Sequence, residues 1–80
     1  MVNPNEISEQ MDVICSCGTR IGEVDRVEFN EVKLAKNDPI AGGRHHYIPL
    51  EWVDFADDYV VLNKDYEEVR HEWTLQPALA

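Results

Sequence analysis

The chain has 80 residues, 44% hydrophobic and 29% charged, and its seven Lys and Arg against sixteen Asp and Glu leave a net charge of −9. That length allows one small domain whose core supplies only ~3–5 kcal/mol of net stability. The aliphatic content excludes a disordered chain, and the negative field disfavours nucleic acid as a direct ligand while favouring solubility and basic partners.

The first residues, MVNPNEISEQ, lack the basic and apolar regions of a signal peptide. No apolar run approaches the roughly 20 residues that span a bilayer, so no membrane partner and a cytoplasmic location are expected. Within residues 1–11, Asn3 is placed to cap a short helical turn with Pro4 at its first position, leaving Ile7 and Met11 on one side. The domain proper is expected to span 12–73, with 74–80 as a C-terminal tail. Asp12 to Cys15 reads as a short strand stopped by Ser16, Cys17 and Gly18, where the chain should reverse. Cys15 and Cys17 are the only cysteines. Two positions so close in an extended chain have poor geometry for a mutual bond, and a reducing compartment agrees with free thiols.

From Ile21 to Phe29 the apolar positions Ile21, Val24, Val27 and Phe29 slip by one between Val24 and Val27. One extra residue near Asp25 and Arg26 restores the inward face, so a β-bulge is expected there. Asn30 is suited to a positive φ in a tight turn, after which Val32 and Leu34 alternate with Glu31 and Lys33 to complete a hairpin. Residues 37–43, NDPIAGG, form the longest loop, with Gly42 and Gly43 supplying backbone freedom. In YIPLEWV, residues 47–53, Ile48, Leu50 and Trp52 share one face of an expected strand, with Tyr47, Pro49, Glu51 and Val53 on the other. Pro49 withholds a ladder donor and favours an edge. An acidic turn at Asp54, Asp57 and Asp58 precedes a last strand at 59–63. Asp65 and Glu68 then form a capping-box pattern, and Tyr66, Val69 and Trp73 recur at helical spacing. The tail from 74 should fray, because Pro77 ends any helix.

These elements sum to a mainly β fold, with short strands expected to close into a small antiparallel barrel and a short C-terminal helix. The order VICSCGTRIGEVDRVEFNEVKLAK, HHYIPLEWV and VVLNK resembles the PRC-barrel superfamily, named for the H subunit of the photosynthetic reaction centre. It looks most like an uncharacterised group of small bacterial proteins within it. The resemblance covers roughly residues 7–73, and it implies a non-enzymatic binding or assembly module. Barrels of that kind form part of a photosynthetic subunit or contact a ribosomal protein, and no catalytic residue or cofactor carries over. The chain departs from the pattern at Phe29 and Asn30 in the first hairpin turn, and at Cys15.

The candidate interface is the stripe Tyr66, Val69 and Trp73, offered to a protein partner or to a second copy of the chain as a homodimer; its alternative is to cap the chain's own core. The reading from another class is a small metal- or ligand-binding protein using Cys15, Cys17, His45 and His46. Those residue types suit zinc, but their spacing does not match the common signatures, and adjacent histidines on a strand point apart. Gly42, Gly43 and Arg44 resemble an anion-binding nest without the following helix such a site uses.

Overall fold

A computed structural model describes residues 2–76. Six strands and one helix follow in chain order: β1 (Asp12–Ile14), β2 (Arg20–Glu28), β3 (Glu31–Leu34), β4 (Tyr47–Pro49), β5 (Val53–Ala56), β6 (Val60–Leu62) and α1 (Tyr66–Glu72). Short 3-10 turns occupy Pro4–Glu6, Pro39–Ala41 and Leu50–Trp52. The strands form one sheet in the order β4-β3-β2-β1-β6-β5.

The first half is an antiparallel meander. Cys15, buried just after β1, donates its N–H to the Thr19 carbonyl at 2.9 Å, and Gly18 at φ 90° turns the chain back. β2 then pairs with β1 through Val13↔Gly22 and with β3 through Val24↔Leu34 and Val27↔Val32. The register shifts between Val24 and Arg26, where the sequence pattern requires the bulge. The following tight turn differs from expectation. Phe29 carries the positive φ, at 56°, while Asn30 does not.

Asn3 caps the first 3-10 turn, with Pro4 inside it, and Ile7 reaches the core at 8% exposure. The N-terminal segment is stitched to β2 by Gln10 N–H to the Val24 carbonyl and Val24 N–H to the Met11 carbonyl, each at 2.8 Å. Asp38 caps the loop turn Pro39–Ala41 by accepting from the Ile40 N–H, and Gly42 and Gly43 leave it with φ of 62° and 79°.

The expected continuous strand over 47–53 is broken. Pro49 ends β4, and the Leu50–Trp52 turn resets the side-chain phase, so that Leu50, Trp52 and Val53 are all buried. Val53 therefore belongs to the core rather than to the opposite face, and Asp54 lies in β5 rather than in the acidic turn. The expected closed antiparallel barrel is also corrected. β6 runs parallel to β1, pairing Val13↔Val60 and Ile14↔Val61, and the sheet stays open between β4 and β5. The outer edge of β4 is taken instead by the segment after α1: Tyr47 donates to the Thr74 carbonyl at 2.8 Å and Thr74 returns the bond at 3.1 Å. Thr74 is thus paired rather than frayed, and Pro77, expected to end the helix, lies outside the described residues.

The core gathers Val13, Ile21, Val24, Val32, Leu34, Ile48, Leu50, Val60, Leu62 and Val69, each at most 2% exposed. At ~1.5–3 kcal/mol for each fully buried aliphatic side chain, this cluster is the main favourable contribution to folding. No helix is long and apolar enough to cross a membrane among the described residues.

Candidate functional site

Helix α1 begins in a reciprocal cap. The Glu68 N–H donates to Asp65 Oδ1 at 2.9 Å, and the Asp65 N–H donates to Glu68 Oε1 at 3.1 Å. Acidic Glu67 and Glu68 occupy its first turn and basic Arg70 and His71 its last, matching the helix dipole. This short helix is held mainly by Val69, which is wholly buried against the sheet.

The expected stripe of Tyr66, Val69 and Trp73 therefore divides. Val69 is in the chain's own core, whereas Tyr66 and Trp73 are half-buried beside it. Exposed Arg70 lies between these two aromatics. Its guanidinium carbon is 5.4 Å from the Tyr66 ring centre and 5.3 Å from that of Trp73, and its Nη1 donates to the Tyr66 hydroxyl. The Tyr66–Arg70 spacing of one helical turn makes this contact legible in the sequence, although the apolar stripe drew attention away from it.

Beneath Trp73 is His46. The two rings stack with centres 3.9 Å apart and planes at 25°. His46 is 8% exposed, and its Nδ1 has no hydrogen-bond partner among the described residues. Burial pushes its imidazole below the usual histidine range; the Arg44 carbonyl opposes this, and the charges of Arg70, Arg44 and His45 reinforce it. The alternation that buries Ile48 and Leu50 extends back to His46, a signal that adjacent HisHis obscured. His45 instead donates from Nδ1 to the Leu34 carbonyl at 2.8 Å.

Cys15 and Cys17 are joined by a disulfide across a Cα–Cα distance of 5.3 Å, correcting the expectation of free thiols. The reason is local: the chain has left the extended conformation after Ile14, and the turn folds both side chains to one side. A ring this small restricts the unfolded chain little, about 1.5 kcal/mol on the loop-entropy account. The cysteines and histidines do not assemble into a metal centre, since no group of three or more His, Cys, Asp or Glu is placed to hold an ion among the described residues. Arg44 and the glycines before it lie on the exposed rim of the loop.

The sequence profile of a group described as uncharacterised proteins conserved in bacteria, DUF2171, matches residues 7–70. The chain belongs to the DUF2171 family. The matched region takes in the sheet, the Cys15–Cys17 turn, His46 and Arg70, and stops three residues before Trp73. No curated protein matches this DUF2171 chain.

Proposed function

We propose that this DUF2171 protein is a binding or assembly module of the PRC-barrel type, with no catalytic group at its contact face, which associates with a second copy of itself or with another protein. The observation that carries the reading is the Tyr66–Arg70–Trp73 cluster. Arg and aromatic residues dominate interface energetics, and here they are presented on a rigid base formed by Val69 and the stacked His46. Arg70 also places a cation on a chain of net charge −9, a local exception that suits an acidic contact. Support for a PRC-type sheet comes from the Leu50–Trp52 turn, which joins β4 to β5, the strands at opposite ends of the sheet order. Three residues of 3-10 turn span only ~6 Å, so the sheet must curl to bring those ends together.

The test compares capture of partners from source-cell extract, and sedimentation of the isolated chain, for wild type, Arg70→Glu and Tyr66→Ala. Arg70 is exposed, so its substitution should leave the fold intact. The expected result is a ~10-fold or greater loss of capture or dimerisation in Arg70→Glu. Folded variants that associate like wild type overturn the assignment.

A further inference from the structure

We propose that the Cys15–Cys17 pair is a site of thiol–disulfide exchange, at which Cys17 is the sulfur attacked by an external thiol and Cys15 is the sulfur released. Three observations carry it, and none depends on the assembly reading.

The turn does not need the bond. Cys15 N–H donates to the Thr19 carbonyl at 2.9 Å, Gly18 N–H to the Cys15 carbonyl at 3.0 Å, and Ser16 N–H to the Lys64 carbonyl at 2.8 Å. These contacts hold the loop whether or not the sulfurs are joined, and so keep two thiols within reach of each other after reduction. The bond, for its part, spans a sequence separation of 2 and is therefore a weak staple.

The two sulfurs are also unlike. Cys15 is 1% exposed, while Cys17 is exposed at the tip of the turn. An incoming thiolate has access to Cys17 alone.

Finally, the buried sulfur has a donor waiting. The Thr19 backbone N–H points at Cys15 Sγ from 3.2 Å, and Thr19 Oγ1 lies 3.7 Å from Cys17 Sγ. A sulfur released at Cys15 would accept a hydrogen bond from that N–H, which favours its departure over that of Cys17.

The chemistry balances as follows. A substrate thiolate attacks Cys17 Sγ, a new S–S bond forms there, and the electron pair of the old bond moves to Cys15 Sγ, which takes a proton from water. A second substrate thiolate attacks the substrate sulfur of the mixed disulfide and expels Cys17. Two substrate thiols become one disulfide, and the cysteine pair gains two electrons and two protons. The reverse sequence reduces a disulfide. The negative field of the chain favours neutral or cationic thiols over anionic ones.

The test uses the full chain. Wild type is equilibrated in buffers of reduced and oxidised dithiothreitol, and free thiols and thermal unfolding are measured together. Two thiols per chain should appear reversibly while cooperative unfolding persists; loss of the fold on reduction overturns the proposal, because the bond would then be a staple. Brief alkylation of reduced wild type should label Cys17 at least ~10-fold faster than Cys15. Equal labelling overturns the assigned roles without any variant. Glutathione disulfide and an unfolded protein that retains a disulfide then serve as small and macromolecular substrates, each offering an S–S bond to the Cys17 thiolate. Cys15→Ser should accumulate a mixed disulfide at Cys17 with one of them, and a folded Cys15→Ser that forms an adduct with neither overturns the exchange role.

Discussion

Arg20 shows how one side chain ties distant segments together. It donates to Asp12 at the start of β1 at 3.0 Å and to Asp38 in the long loop at 2.6 Å. The Asp38 side chain is 6% exposed, and its hydrogen bond from the Arg20 guanidinium holds its carboxyl below the usual carboxylate range. A depressed carboxylate contributes stability that is present above its unfolded pKa of 3.8 and is lost as pH falls through the folded value. Arg20→Ala should therefore lower stability at pH 7 by about 1–2 kcal/mol, kept small because Arg20 is 42% exposed, and should flatten the loss seen below pH 4. Urea unfolding of both proteins between pH 3 and 7 checks this. Parallel acid limbs would remove Asp38 from the account. Phe29 is the opposite kind of residue, held at positive φ while 68% exposed, in a conformation that costs a bulky side chain of order 1–2 kcal/mol. Nothing about its residue type announces that conformation, which is why the sequence pattern pointed to Asn30.

At the scale of elements, the β2 bulge and the α1 cap were legible because each rests on short-range rules. A slipped alternation has only one remedy in a strand, and Asp65 with Glu68 satisfies a helix start by itself. The break after Pro49 was not legible, since Ile48, Leu50 and Trp52 keep alternating while the backbone turns beneath them. The contact between the residue before β4 and the residue that closes α1 was hidden for another reason: His46 and Trp73 are far apart in sequence and their ring stack exists only in the folded chain. It has a measurable consequence. Because His46 is depressed in the fold, the unfolded chain binds its proton first, so stability is full above pH 6.5 and declines as pH falls from there to the folded pKa. His46→Phe retains an aromatic face for Trp73 and removes the titrating nitrogen. Its thermal midpoint should fall less between pH 7 and 5 than that of wild type, with His45, Arg44 and Arg70 unchanged around it. An identical slope would assign the decline to other groups.

For the whole molecule, a net charge of −9 within a radius of gyration of 11.0 Å creates a self-repulsive surface. If two copies meet across the Arg70 face, they do so against that repulsion, and added salt should tighten the dimer. Sedimentation at 0.02 and 0.3 M salt tests this; self-association that weakens as salt rises would mean that Arg70 pairs with carboxylates of the second copy and that this attraction outweighs the net repulsion. The mainly β class was readable because turn formers bracket short apolar runs along the whole chain. Closure was not, because it depends on which strand reaches the β4 edge first, and Thr74 takes that place from β5.

The parallel pairing of β1 with β6 joins Val13 to Val60 and Ile14 to Val61 across most of the chain. Such a seam carries a larger loop-closure entropy than the hairpins beside it, so it is the sheet contact expected to slow folding most.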